Sequence, residues 1–322
     1  MSDVVVTSPL PGSALQRLAA VHHVVVRPEG PALTGVELAG LVGDAEALIC
    51  LLADRVDRSV FAGCPGLRVV ANYAVGVNNV DLAAATAARV WVTNTPDVLT
   101  DATAELTWAL LLAVVRRVVE GDALVRSGGF SGWRPELLLG RGLQGKTLGI
   151  IGFGRIGQAV ARRASGFGME VVYHARRPAS WTAARYEADL DTFLVAVDVV
   201  SMHCPLTPET RNLLNRRRLG LLRPEAFLIN TSRGEVVDEA ALAEALAAGR
   251  LAGAGLDVYE LEPKVHPGLL SLPNVVLLPH LGSATREARS AMAELAVDNV
   301  LAVLAGRSPL TPVNDPSVPG RR

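Results

Sequence analysis

Gly152-Phe153-Gly154-Arg155-Ile156-Gly157 constrains this chain more than any other stretch. The three glycines follow an apolar, strand-like run, Thr147-Leu148-Gly149-Ile150-Ile151, and open an amphipathic stretch from Arg155 to Phe167. A lone G-x-G-x-x-G says little. Between a strand and a helix it predicts a dinucleotide-binding βαβ unit. Gly152 would permit the tight turn, Gly154 the close approach of a pyrophosphate, and Gly157 the packing of helix on strand. The helix N-terminus would then offer the phosphates its N–H groups and the positive end of its dipole.

A βαβ unit needs a parallel sheet, and strand-like runs recur along the chain. β-branched segments occur at Asp3–Thr7, Val24–Arg27, Ala47–Cys50, Arg68–Asn72 and Val90–Thr93, with Ala- and Leu-rich stretches between them. A long helix is predicted from Thr100 to about Ser127. Further strands are expected at Thr147–Gly152, Glu170–Tyr173, Asp198–His203, Ala226–Asn230, Gly253–Asp257 and Val275–Leu278, then a last helix from Arg286 to about Ala305. This alternation predicts an α/β protein of two Rossmann-like, doubly wound parallel-sheet domains with a cleft between them. A length of 322 residues suits two domains. Pro96 places a boundary near Thr95, because the residue before proline disfavours helix.

Charge and cysteine usage exclude several function classes. A formal net charge of −1 leaves no electrostatic footprint for nucleic acid or an anionic membrane. Arg216, Arg217 and Arg218 form a local basic cluster that fits a solvated helix end. Cys50, Cys64 and Cys204 have neither zinc-site nor disulfide spacing, so buried, reduced thiols in the cytoplasm and no metal are expected. The start of the chain lacks the basic and apolar regions of a signal peptide. The apolar stretch Leu106–Val119 is too short, and too charged at Arg116 and Arg117, to span a bilayer.

The end of the strand after the fingerprint discriminates between cofactors. An acidic residue there would bond the adenosine ribose 2′-hydroxyl of NAD. At that place, about eighteen residues past Gly157, stands Ala175, followed by Arg176 and Arg177. Guanidinium groups pair with a 2′-phosphate, which a carboxylate would repel. NADP(H) is therefore the preferred cofactor, with NAD(H) left open if both arginines are ordinary surface residues.

Three further residues supply a reaction. Arg233 lies in Ile229-Asn230-Thr231-Ser232-Arg233-Gly234, Glu262 in Asp257-Val258-Tyr259-Glu260-Leu261-Glu262-Pro263, and His280 in Leu277-Leu278-Pro279-His280-Leu281-Gly282-Ser283. Each follows a predicted parallel strand, at the carboxyl end where ligands bind in open α/β sheets. Reduction of a 2-keto acid needs a proton at the carbonyl oxygen as hydride reaches carbon. Imidazolium suits that donation. Glu262 would orient the imidazole and stabilise its charged form, and Arg233 would grip the substrate carboxylate and polarise the carbonyl.

Asn72–Asp81, Gly152–Gly157, His203–Thr210, Ile229–Gly234 and Pro279–Ser283 together resemble the D-isomer-specific 2-hydroxyacid dehydrogenases. The resemblance runs over nearly the whole chain. Asn94–Glu105 and the arginines after Ala175 are most similar to glyoxylate/hydroxypyruvate reductases. The resemblance implies the catalytic trio Arg233, Glu262 and His280. It implies a substrate carboxylate on the backbone amides of Val75 and Gly76, with Leu52 and Ser283 lining the pocket. Thr103, Gly152, Gly154, Arg155, Ile156, Gly157, Arg176, Arg177, Cys204, Pro205, Thr210, Thr231, Ser232, Asp257, His280 and Gly282 would contact the cofactor. Residues 1–97 with 287–322 would form the substrate domain, and residues 98–286 the dinucleotide domain. A homodimer through the cofactor domain is implied, with Trp133 closing the partner subunit's pocket. The expected reaction is NADP(H)-dependent reduction of glyoxylate to glycolate and of hydroxypyruvate to D-glycerate. Phosphoglycerate-type or bulkier-acid dehydrogenases, and a non-enzymatic NAD(P)-sensing corepressor, are the alternatives.

Overall fold

β-branched runs form the strands, and Ala- and Leu-rich stretches the helices, in the computed structural model, which describes residues 1–181 and 183–317. The chain divides into two compact units, Met1–Leu99 with the segment from Ser283 onward, and Thr100–Gly282. The sequence placed these divisions at 97/98 and 286/287. The first division falls instead where the helix Thr100–Val115 begins. The second leaves the loop from Ser283 with its own helix, Arg286–Leu304, which Thr285 caps by accepting from the Ala288 amide. Residues 318–322 of the expected substrate domain lie outside the described residues.

In the first unit, β1 (Asp3–Val6), β2 (His23–Val26), β3 (Ala47–Leu51), β4 (Val69–Tyr73) and β5 (Trp91–Thr93) form a parallel sheet ordered β2-β1-β3-β4-β5. The middle strands are mostly apolar, with Asp3 at the start of β1 and a buried Asn72 in β4, as strands covered on both faces tend to be. Val5, Leu48 and Val70 pack with Leu38, Val42 and Val60 of the flanking helices. The helix Arg286–Leu304 packs against β4 and the helix Ala14–Ala19.

In the second unit, β6 (Thr147–Ile151), β7 (Glu170–His174), β8 (Arg185–Tyr186), β9 (Val199–Met202), β10 (Phe227–Asn230), β11 (Gly253–Leu256) and β12 (Val275–Leu277) are ordered β12-β11-β10-β9-β6-β7-β8, all parallel. The order reverses between β6 and β9, the switch point at which such sheets bind ligands. Phe193, Leu194, Met202 and Leu228 fill one side of the sheet, and Trp108, Leu110, Ile150 and Val160 the other.

One expectation is corrected by the structure. The single helix from Thr100 to Ser127 is two helices, Thr100–Val115 and Val118–Arg126, with Arg117 in the left-handed region (φ 54°) between them. The returning chain causes the break: the Arg141 amide donates to the Val115 carbonyl (2.8 Å), which the continuing helix would otherwise use. The strand β8 was not foreseen, because two residues carry no periodic signal. The basic cluster is indeed a solvated short helix, Arg216–Leu219, with Arg216 paired to Glu244 and Arg217 and Arg218 to Asp191. All three cysteines are buried free thiols.

Candidate active site

The fingerprint turn follows β6 directly. Gly152 has φ 90°, and a Cβ there would lie 2.4 Å from the Cys204 nitrogen, just past β9. The two strands at the switch point therefore approach through glycine and bare backbone. At Gly157 a Cβ would lie 2.3 Å from the Gly152 carbonyl oxygen. Gly154 differs: a Cβ there would meet nothing within 4 Å. It sits exposed at the N-cap of the helix Arg155–Ala164, and no side chain caps that helix. An open space before an uncapped helix N-terminus suits a phosphate, so the turn fits a dinucleotide. Thr210, whose hydroxyl donates to the Pro205 carbonyl (2.6 Å) and accepts from the Thr207 amide (2.7 Å), folds the loop after Cys204. Past β7, Arg176 and Arg177 are both exposed. Tyr186 donates to the Ala175 carbonyl (3.1 Å) and Tyr173 accepts from the Ala179 amide (2.8 Å), so two buried or half-buried phenols hold the segment that carries the arginines.

The trio follows β10, β11 and β12. His280 has φ 56°, a conformation that a non-glycine residue holds only when its surroundings enforce it. Asp257 provides that enforcement. Its buried carboxylate accepts from the amides of Leu281 (2.6 Å) and Gly282 (2.8 Å), and its carbonyl accepts from the His280 amide (2.9 Å). Burial pushes the Asp257 carboxyl above the usual carboxylate range, against the opposing pull of those amides and His280.

His280 Nδ1 lies 2.9 Å from Glu262 Oε2, and the other Glu262 oxygen accepts from the Tyr259 amide (3.1 Å). Burial raises the Glu262 carboxyl. The His280 hydrogen bond and charge, the Tyr259 amide and Arg233 outweigh that and hold it below its ordinary range. An ionised Glu262 can only accept, so Nδ1 carries the hydrogen of that bond. Arg233 lies beyond β10, where Asn230 Nδ2 donates to its carbonyl (2.8 Å) and its guanidinium donates to the Ser232 carbonyl (2.7 Å). Burial lowers the Arg233 pKa, while Glu262 and Glu235 oppose that shift. Gly234 must be glycine: a Cβ would lie 1.8 Å from the Tyr259 carbonyl carbon. The loops of Arg233 and Glu262 thus meet backbone to backbone.

Residues 108–282 match the D-isomer specific 2-hydroxyacid dehydrogenase NAD binding domain. A glyoxylate reductase of Thermococcus litoralis is 47% identical over 318 residues, covering 97% of this chain and 96% of that one. The chain belongs to the D-isomer-specific 2-hydroxyacid dehydrogenases. It is an NAD(P)-dependent oxidoreductase that reduces a 2-keto acid. Among solved structures, a protein of Thermus thermophilus superposes with a TM-score of 0.92 at 53% identity, covering 97% of this chain and 99% of that one. An NADPH-dependent glyoxylate/hydroxypyruvate reductase of Sinorhizobium meliloti, in complex with NADP and malonate, superposes with a TM-score of 0.88 at 36% identity, covering 100% of this chain and 99% of that one.

Thr231 is buried, and its hydroxyl lies 2.9 Å from that of Thr107, which donates to the Thr103 carbonyl (2.8 Å). Ser232 donates to Asn230 Oδ1 (2.9 Å). Ile156 packs into the core, and Arg155 is exposed. Gly282 is buried beside Asp257 and Thr103. In the first unit, Leu52 follows β3, Val75 and Gly76 follow β4, and Ser283 precedes the helix Arg286–Leu304. Trp133 is 82% exposed in an irregular segment.

Sequence reading missed Glu239. This buried carboxylate accepts from the amides of Glu260 (3.1 Å) and His266 (3.3 Å), on both sides of Glu262. An acid in the first turn of a predicted helix looks like dipole compensation. Only the loop contact marks it as an anchor. Among the described residues no helix is long and apolar enough to cross a membrane, and no group of His, Cys, Asp and Glu could hold a metal.

Proposed function

We propose that this dehydrogenase reduces glyoxylate to glycolate and hydroxypyruvate to D-glycerate with NADPH, using His280 as proton donor. The observation that carries it is the Glu262–His280 pair, held on a loop that Asp257 clamps. The T. litoralis relative supports glyoxylate as substrate, and the S. meliloti structure supports hydroxypyruvate and NADPH.

Nicotinamide would supply a hydride to the carbonyl carbon. Gly152, Gly154 and Gly157 would receive the pyrophosphate, with Arg155 and Ile156 at the helix start. Thr103, Cys204, Pro205, Thr210, Thr231, Ser232, Asp257 and Gly282 would line the remainder of the cofactor site. Arg176 and Arg177 would pair with the 2′-phosphate. Arg233 would bind the substrate carboxylate and polarise the carbonyl; in the first unit the amides of Val75 and Gly76 would offer donors to a carboxylate. His280 Nε2 would protonate the carbonyl oxygen, and Glu262 would stabilise the imidazolium before transfer. Leu52 and Ser283 would limit the space beside the substrate.

A homodimer through the second unit completes the proposal. The helix Val118–Arg126 buries none of its residues, and Val118, Val119, Val125, Phe130, Trp133 and Leu139 are exposed along it and the following segment. Apolar exposure of that extent fits a covered surface, from which Trp133 would reach the partner subunit's pocket.

Initial rates of NADPH and NADH oxidation with glyoxylate, hydroxypyruvate, pyruvate and phenylpyruvate test the reaction. Fast NADPH-linked turnover of the first two is expected. The double variant Arg176→Ala/Arg177→Ala should raise the NADPH KM about tenfold or more and leave that for NADH nearly unchanged. Turnover of phenylpyruvate alone would discard the substrate, and equal KM values for both cofactors throughout would discard the NADPH preference.

A further inference from the structure

Three consecutive carbonyls after β4 each accept a hydrogen bond. The Ala74 carbonyl accepts from the Thr95 amide (2.9 Å), the Val75 carbonyl from Asn94 Nδ2 (2.7 Å), and the Gly76 carbonyl from Asn72 Nδ2 (2.8 Å). A trans peptide directs each carbonyl and the following N–H to opposite sides. The N–H groups of Val75, Gly76 and Val77 therefore point away from Thr95, Asn94 and Asn72. Among the described residues none of the three donates a hydrogen bond. Adjacent backbone N–H groups left without an acceptor can together receive an anion.

The two asparagine amides are themselves held. Asn72 is fully buried on β4, and Asn79 Nδ2 donates to its Oδ1 (3.0 Å), so Nδ2 must be the end that faces Gly76. Asn79 Nδ2 also reaches the carbonyls of Leu51 (3.2 Å) and Asp54 (3.1 Å), tying the loop of Leu52 to the same frame. The Asn94 backbone is fixed at both ends: its amide donates to the Thr311 carbonyl (3.3 Å), and its carbonyl accepts from the Thr311 hydroxyl (2.6 Å).

We infer that Asn94 and Asn72 are positioning residues for substrate, setting the amides of Val75, Gly76 and Val77 to receive a 2-keto acid's carboxylate. The inference rests on the proposed reductase reading for its ligand. Asn94 is the better probe, because it is partly exposed and its loss leaves no core cavity. Asn94→Ala removes the donor, and Asn94→Ser keeps a small polar group of shorter reach.

The full-length NADPH-loaded enzyme is titrated with oxamate, a non-reacting carboxylate, and glyoxylate kinetics are run beside it. In both variants oxamate should bind about tenfold more weakly and the glyoxylate KM rise by a similar factor. The fall in kcat should be smaller, and the NADPH KM should stay near the unsubstituted value. A role confined to stability would lower Tm and leave this split absent. Oxamate binding within about twofold of the unsubstituted enzyme in both variants would overturn the inference, as would no oxamate binding by the unsubstituted enzyme. If that enzyme binds oxamate through Asn94 but reduces no keto acid, the reductase reading fails and the positioning role stands.

Discussion

Two doubly wound parallel sheets in one chain have opposite chemistry at corresponding places. In the second unit the switch point between β6 and β9 is lined by Gly152 and the Cys204 backbone, with an open space at Gly154. In the first unit the order reverses between β1 and β3, and there a buried carboxylate fills the ends of the strands. Asp54 accepts from the Thr7 hydroxyl (2.5 Å) and from the amides of Leu51 (2.9 Å) and Leu33 (3.1 Å). The helix that follows β1, Ala14–Ala19, is short. A phosphate brought to that point would meet the Asp54 carboxyl group that already takes up the amides there, and the glycine of the following loop, Gly12, packs on Ser290. Topology thus provides a crevice in both units, and side-chain chemistry decides which one receives a dinucleotide.

Substitutions on either side put this contrast to the test. The largest effect should come from His280→Ala, which removes a group that contributes about 10²–10⁴-fold to turnover. Its cofactor should still bind, with a dissociation constant that moves far less than turnover, since the glycine turn is untouched; unchanged turnover would remove His280 from the mechanism. Next is Gly154→Asp. Its Cβ has room, so Tm should hold, but a carboxylate in the phosphate space should weaken cofactor about a hundredfold. Cofactor titration with intact affinity would show that the turn binds nothing.

Asp54→Ala should do the converse. It removes the acceptor of the Thr7 hydroxyl and of the Leu33 amide, and one of the two acceptors of the Leu51 amide, at a cost of about 2–3 kcal/mol. Denaturant melts should show that loss, and cofactor affinity should stay put. A loss of cofactor binding instead would erase the distinction between the two units.

The smallest effect concerns acid stability. The Glu262 carboxyl lies below its ordinary range in the folded protein. Its contribution is therefore complete above the pKa of the unfolded chain and is lost as pH falls through the lower folded value. Melting curves taken downward from about pH 6 should show Glu262→Gln converging on the unsubstituted enzyme in acid. Divergence on acidification would reverse the sign of the pairing.

Much of the candidate site was legible because its signals are local. Gly152, Gly154 and Gly157 occupy consecutive turns of one motif, Arg176 and Arg177 mark the end of one strand, and Arg233, Glu262 and His280 each close one. Asp257 was recognised as a site residue, but not as the clamp on the His280 loop. That role depends on the amides of Leu281 and Gly282, brought to it from the next strand. Glu239, Asn94 and Asn79 escaped for the same reason: an anchoring side chain is recognised by the carbonyls and amides it meets, and these are remote in sequence.

Local sequence dictated the succession of strands and helices, the glycine turn and the residue types available for chemistry, because hydrophobic period and backbone freedom act over a few neighbours. Folding in three dimensions set where the helix begun at Thr100 stops, how far the units extend, and which polar groups hold the loops of His280, Glu262 and Val75. Those outcomes are long-range. The Val115 carbonyl is taken by Arg141, the His280 loop by Asp257, and the Val75 carbonyl by Asn94, and no local pattern specifies a hydrogen-bond partner that folding must first bring near.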